Sequence, residues 1–348
     1  MTRSITQAAA IQEALDQEMA RDPRVIVMGL GVDDPKAILG TTRGLAEKYG
    51  PLRVFDTPLS EDAMTGAAIG MALAGLRPVH VHIRVDFLML AMNQIVNVAA
   101  KTHYMFGGRE SVPLVIRAII GRSWGQGAQH SQALHSFFMH VPGLRVAAPA
   151  TAYDAKGCLI SAIRDDNPVI FIEHRLLHGL QSDVRAEPYE SALGQARIVA
   201  EGSDVTLVGI SYMAVECLRA REYLKEKGIS AEVIDPVWLS PLDMGTISAS
   251  ANRTRRMLVV DTAWLPCGAG AEIITGVVEA LGCGGDLRVR RMGFAHSSCP
   301  PTPSLEASFY PDARSIASAA YAIVSGDPRP WVPEERVDLR AVEFKGPF

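Results

Sequence analysis

The sequence predicts an α/β protein with two doubly wound, mostly parallel-sheet domains. Three observations carry this. The chain has 348 residues, enough for two domains at roughly 100–200 residues each. Short Val/Ile-rich runs alternate with segments of helical periodicity. Those runs are apolar throughout instead of alternating, as strands buried on both faces of a parallel sheet require.

Each element follows in turn. Ile5, Ala8, Ile11, Leu15 and Met19 fall at helical spacing over residues 5–20, and residues 24–29 (RVIVMG) form a β-rich run closed by glycine. A small-residue helix is expected over 62–75, a strand over 79–85 and one continuous helix over 88–103. Strands at 112–120 and 144–148, a helix over 153–164 and the apolar strand PVIFIE at 168–173 complete the first series. Residues 178–203 are polar and lack sustained periodicity. The second series has strands at 204–210, 231–235, 257–261 and 287–292. Its helices are 213–227, 241–251, 268–281 and 311–324. The expected organisation is a first domain over 1–190, a linker over 191–203, a second domain over 204–325 and an extended arm over 326–348. Pro328, Pro330 and Pro333 mark that arm.

Composition removes several classes. At 48% hydrophobic and 21% charged residues, the chain is too apolar to be disordered. A net charge of -4 opposes an electrostatic nucleic-acid binder. No apolar run reaches the roughly 18–20 residues of a membrane span, and the polar helical start is unlike a secretory signal. Five scattered cysteines without C-x-x-C spacing signal neither a zinc site nor a disulfide framework. The expectation is a cytoplasmic protein.

Two polar clusters stand out. Asp56-Thr57-Pro58-Leu59-Ser60-Glu61-Asp62 lies between a strand-like run and a glycine-rich helix, at the carboxyl side where open α/β sheets place ligands. Read alone, it is a helix start, with Ser60 at the N-cap contributing about 1 kcal/mol. Residues 121–132 (GRSWGQGAQHSQ) form a glycine loop ending near His130, and match neither the P-loop nor the dinucleotide fingerprint. His80 and His82 point to one face of a strand, but no third metal ligand accompanies them. Gly66, Gly70 and Gly75 are read as permitting close helix packing.

From Asp56 to Glu173 the chain resembles the beta subunits of thiamine-diphosphate-dependent 2-oxo acid dehydrogenases, the decarboxylating first components of the pyruvate, branched-chain and acetoin complexes. The matching stretches are DTPLSE at 56–61, GMALAGLRPV, NQIVN with AAK, QHSQ at 129–132, HVPGL, YDAKG and IRDDNPVIF, all in family order. The second half resembles the transketolase C-terminal domain through GISAEVIDP, SPLD, Trp264, GAGAEI and Pro303 with Leu305-Glu306. The resemblance spans about residues 5–325.

It implies a pyrimidine-binding transketolase-like domain followed by a transketolase C-terminal domain. It assigns Glu61 the hydrogen bond to the aminopyrimidine ring nitrogen, promoting the imino tautomer that removes the thiazolium C2 proton, and so replaces the capping reading of this segment with a catalytic one. Leu59 and Phe87 become cofactor contacts, and His130 the histidine that acts on the substrate-derived intermediate. Leu114, Ala162, Asp165 and Asn167 match positions that hold a potassium ion, mostly through main-chain oxygens. The diphosphate and Mg²⁺ motif, Gly-Asp-Gly followed by asparagine, has no counterpart beyond Gly284-Gly285-Asp286-Leu287. The resemblance therefore implies an alpha subunit supplying that half-site, in a two-alpha two-beta heterotetramer with a beta–beta dimer, with a lipoyl acyltransferase as a further partner.

Departures cluster on the expected substrate side. Leu30 stands at an acidic position, Ile83-Arg84 replaces Gln-Phe, Asn93 replaces Asp, and Arg122 and Trp124 stand where small residues are common. Residues 296–303 (HSSCPPTP) are also atypical of the family. Arg84 and Arg122 are candidates to bind a phosphate or second carboxylate, since guanidinium pairs with either in bidentate fashion; two surface arginines are the alternative. The main reading is a 2-oxo acid decarboxylase beta subunit that passes its acyl unit to lipoamide or another acceptor. A split transketolase-like carboligase using an aldehyde acceptor and a non-catalytic scaffold subunit are the alternatives.

Overall fold

The computed structural model describes residues 2–34, 36–282, 286–327, 331–336 and 338. Two compact units are built, one on residues up to 122 and from 129 to 193, the other on 123–128 and from 194 onward.

In chain order the first unit contains β1 (Thr2–Thr6), α1 (Gln7–Arg21), β2 (Val25–Gly29), α2 (Ala37–Gly40), α3 (Leu45–Tyr49), β3 (Val54–Asp56), α4 (Glu61–Leu73) and β4 (Arg77–His82). It continues with α5 (Val85–Leu88), α6 (Ala100–Met105), β5 (Val115–Ile120), α7 (His135–Met139), β6 (Arg145–Ala147), α8 (Ala152–Arg164), β7 (Val169–His174) and β8 (Gln181–Arg185). Six strands pair in parallel in the order β6-β7-β5-β4-β2-β3. Every position of β2, β4, β5 and β7 is buried, which is why β2, β5 and β7 are Val/Ile-rich; β4 (RPVHVH) alternates histidine with valine yet buries both faces. From β2 the chain moves outward to β3, whereas from β4 it moves the opposite way to β5. Adjacent strands with opposite onward connections open a crevice at their carboxyl ends, here between β2 and β4.

The second unit contains β9 (Arg197–Ala200), β10 (Val205–Gly209), α9 (Tyr212–Lys225), β11 (Ala231–Asp235), β12 (Trp238–Ser240), α10 (Met244–Thr254), β13 (Arg256–Trp264), α11 (Ala269–Leu281), β14 (Arg288–Phe294), α12 (Pro303–Glu306) and α13 (Ala313–Ser325). Its sheet runs β14-β13-β10-β11-β9, parallel except for β9, which is antiparallel to β11. Asp312 caps α13 reciprocally with Ser315. The expected arm is described only in part. Within it Trp331 packs on Tyr321 at 5.1 Å, Pro333 accepts from Arg314 Nε at 2.9 Å, and the Arg336 amide donates to the Tyr223 hydroxyl at 3.1 Å. Pro328 and Pro330 lie outside the described residues, as do Gly284 and Gly285.

Several expectations need correction. The helix over 88–103 is interrupted: α5 passes into a 3₁₀ turn at Met89–Ala91, a π-helical stretch at Gln94–Ala99 and then α6. Apolar spacing at Leu88, Ala91, Ile95 and Ala99 reports one buried face, which all these windings share, so it does not distinguish them. The polar segment 178–203 contains β8 and β9. Strand β8 pairs antiparallel with β1 in a two-stranded ribbon and leaves one of its five residues buried, so it carries no apolar signal. Of the three helix glycines, only Gly66 meets a neighbour: a Cβ there would lie 3.3 Å from Gln94 Oε1, while Gly70 and Gly75 face open space.

A buried ion pair ties β5 to β7. Arg117 Nε and Nη2 donate to the two Glu173 carboxylate oxygens at 2.7 and 2.9 Å, and His178 Nε2 lies 3.0 Å from Glu173 Oε2. Burial pushes the Glu173 carboxyl up, but the Arg117 charge and the contacts to His178 and Arg117 outweigh it and hold the pKa at about 2. A carboxyl depressed in the folded state stabilises above its unfolded pKa, and that stability is lost as pH falls from about 4.5 toward 2. Glu173→Gln should strand a fully buried guanidinium and destabilise the unit by about 3–5 kcal/mol in urea unfolding. It should also flatten the stability profile below pH 4.5. An unchanged midpoint would contradict this role.

Candidate active site

Glu61 opens α4 as its first residue, half-buried at the carboxyl side of β3. Ser60 occupies the N-cap with φ -154° and ψ 69°, and its side chain makes no capping hydrogen bond, so the expected cap is absent. The local order comes from Asp56 instead. Its carboxylate accepts the amides of Gly31 at 2.9 Å, Val32 at 2.6 Å and Asp33 at 3.3 Å. That fastens the end of β3 to the loop after β2 and fixes where α4 begins. The carboxylate of Glu61 has no hydrogen-bond partner among the described residues. An acid at a helix N-terminus is favoured by the helix dipole.

Leu59 is 82% exposed and Phe87 38% exposed. Phe87 lies on α5, directly after β4, and α4 packs against the residues that follow it, Met89–Ala91. Two open apolar groups and an unpartnered carboxylate suit a flat heterocycle bearing a ring nitrogen. The residues therefore fit the aminopyrimidine that the resemblance implies.

The glycine loop reaches this segment through His130. The His130 ring meets Phe87 edge-on, with centroids 5.2 Å apart. Sequence reasoning passed over Asp86, which is 8% exposed and accepts both the Gln132 amide at 3.1 Å and Gln132 Nε2 at 2.9 Å. Burial raises the Asp86 carboxyl above the usual range against the pull of those two donors and of His130. The only sequence signal was an acid beside an aromatic in a strand-to-helix turn.

Arg84 is 4% exposed and donates from Nη1 to the Ile83 carbonyl at 2.7 Å. Burial pulls its pKa down to about 10 against the opposing charge of Asp86, which leaves it a cation at neutral pH. It lines a cavity of about 180 Å³ with Gly31, Ile38, Leu39, Ile83 and Ile119, joined by exposed Asp34 and Lys36. The cavity sits at the β2/β4 crevice. Arg122 is not among its lining residues; it is half-buried at the end of β5, and its carbonyl accepts from Arg175 Nη1 at 3.3 Å.

His80 and His82 are buried side by side, with centroids 4.3 Å apart. Burial lowers the His80 pKa to about 4 and that of His82 well below the ordinary value, so both rings are neutral at physiological pH. No cluster of three metal-ligating side chains is found among the described residues.

At the proposed potassium position, Arg77 donates to the carbonyls of Ile163 and Asp165, each at 2.7 Å, and Val169 N donates to the Leu114 carbonyl at 2.9 Å. Arg145 pairs with the Asp165 carboxylate. Each occupied carbonyl keeps a second lone pair. The group lies at the C-terminus of α8, where the helix dipole favours a cation.

Comparison with known proteins identifies the family. The transketolase pyrimidine-binding domain pattern matches residues 3–179, and the transketolase C-terminal domain pattern matches residues 194–316. The chain is 43% identical over 336 residues to the acetoin:2,6-dichlorophenolindophenol oxidoreductase subunit beta of Cupriavidus necator, covering 94% of this chain and 99% of that one. It belongs to the transketolase-like family of dehydrogenase beta subunits. A second relative is the mitochondrial pyruvate dehydrogenase E1 component subunit beta-1 of Arabidopsis thaliana, 42% identical over 322 residues, covering 91% and 89% of the two chains. A solved structure of an inactive beta4 tetramer of a split-gene transketolase shares the fold, with a TM-score of 0.76 at 22% identity, covering 92% of this chain and 99% of that one. No helix among the described residues of this beta subunit is long and apolar enough to cross a membrane.

Proposed function

We propose that this chain is the beta half of a thiamine-diphosphate-dependent enzyme that decarboxylates a 2-oxo acid and passes the acyl unit to lipoamide or another acceptor. Its alpha partner, within a two-alpha two-beta heterotetramer, would hold the diphosphate and Mg²⁺. The observation that carries this is the unpartnered Glu61 carboxylate at the start of α4, with Leu59 and Phe87 open to solvent, in a chain collinear with dehydrogenase beta subunits. When bound, thiamine diphosphate supplies the carbanion chemistry that accepts the electrons of decarboxylation. Glu61 would share a proton with the pyrimidine ring nitrogen, Leu59 and Phe87 would pack on the ring, and His130 would deliver a proton to the substrate-derived intermediate. Glu61→Gln should lower decarboxylation by the assembled complex by about 100-fold or more, with cofactor binding largely retained. Wild-type turnover by this variant would defeat the assignment.

Arg84 gives the substrate side its character. Apolar walls ending at a buried guanidinium suit an acyl chain that carries a second anionic group, a carboxylate or a phosphate. Arg122 would meet the substrate from the start of the glycine loop. Arg84→Met should reduce kcat/KM for a 2-oxo dicarboxylic acid about 10- to 100-fold relative to pyruvate. Equal effects on both substrates would remove Arg84 from recognition.

Leu114, Ala162, Asp165 and Asn167 would hold K⁺, mostly through main-chain oxygens, an oxygen shell suited to a hard cation. A melting temperature higher in potassium than in lithium buffer at equal ionic strength is the expected result; identical curves would exclude the site.

A further inference from the structure

Residues 86 and 87 contact residues 130 and 132 at two points. The Phe87 ring meets the His130 ring edge-on at 5.2 Å. Immediately before it, Asp86 Oδ1 receives the Gln132 amide at 3.1 Å and the Gln132 side chain at 2.9 Å. Ser131, between the two held residues, is 1% exposed. The short stretch that carries the histidine is therefore held at His130 and again two residues later at Gln132, by neighbours that are adjacent in sequence to each other; Asp86 is 46 residues away from Gln132.

The chemistry of the grip is unusual. Asp86 is 8% exposed, yet it is satisfied on one oxygen only: Oδ2 is inaccessible to solvent and has no hydrogen-bond partner. The charged groups acting on it are Arg84 and His130. A buried carboxylate held by a neutral amide and a neutral carboxamide is a costly way to stabilise a loop, and an apolar residue of the same volume would often serve stability as well. What a carboxyl at this position does provide is a two-bond anchor for the residues that follow the glycine-rich stretch 121–127.

We infer that Asp86 is a positioning residue for His130: by binding both donors of Gln132 it holds the histidine against Phe87, on the side where substrate would meet the cofactor. The inference rests on the proposed role of His130, and its test separates the two. Hydrogen exchange of the Gln132 amide reports the anchor directly and needs no turnover. Asp86→Ala should expose that amide and speed its exchange at least ~10-fold. In the complex with the alpha partner it should lower kcat about 100-fold, the scale of a 1 Å misplacement of a reacting group, with KM changed less than about threefold. Asp86→Asn keeps an acceptor for both Gln132 donors and should restore protection and most of kcat. Should Asp86→Ala fold poorly, Gln132→Ala removes the same anchor from the other side and should slow turnover similarly. Three results would overturn the inference: unchanged Gln132 exchange in Asp86→Ala, faster exchange with unchanged kcat, or Asp86→Asn as inactive as Asp86→Ala with Gln132 still protected. A wild-type complex without decarboxylase activity would instead defeat the functional reading, with the exchange measurement still deciding the anchor.

Discussion

A parallel sheet buried on both faces offers reactants no open strand surface, so chemistry is displaced to the carboxyl ends of the strands. In this protein β2, β4, β5 and β7 are buried along their whole lengths, and the residues that can meet a ligand stand where those strands stop. Gly31 follows β2, Glu61 follows β3, Arg84 and Phe87 follow β4, and Arg122 follows β5. The interior is held by packing and by the Arg117–Glu173 pair, which crosses from β5 to β7 without reaching solvent. Rigidity of the sheet keeps the loop residues in register with one another. Asp56 shows how this works locally: three amides of the loop after β2 close on one carboxylate at the end of β3.

The open character of the Glu61 region has a physical meaning. An exposed leucine, a partly exposed phenylalanine and a carboxylate without a partner gain little for an isolated subunit. They make sense as one wall of a site whose other wall comes from elsewhere. A proton shared between the proposed Glu61 carboxyl and a cofactor ring needs shelter from water, and a chain that leaves Leu59 82% exposed does not provide it there by itself. The Arg84 cavity differs, because its apolar lining and its buried cation are both contributed by this chain.

Legibility of the fold followed burial. Buried strands β2, β5 and β7 were visible as Val/Ile-rich runs, whereas β1 and β8, paired only with each other and largely solvated, carried no such mark. The interrupted helix after β4 was read as continuous because 3₁₀, α and π windings can present the same apolar face. At the site, Glu61, Leu59, Phe87 and His130 were accessible only through their collective resemblance to a family; singly, Glu61 was a helix-start acid and His130 a loop histidine. Asp86 escaped because its function depends on Gln132, 46 residues away, a relation that no local pattern encodes. The Ser60 cap failed for the opposite reason: local pattern pointed to it, but its backbone angles do not bring the hydroxyl to the helix amides.

The central claim is that this chain forms one wall of a shared thiamine diphosphate site. Calorimetric titration of thiamine diphosphate with Mg²⁺ into this chain alone, the alpha-type partner alone and the assembled complex tests it most directly. The account predicts tight binding by the complex, and weak or no binding by either chain alone. Equally tight binding by this chain alone, or no binding by the complex, would contradict it.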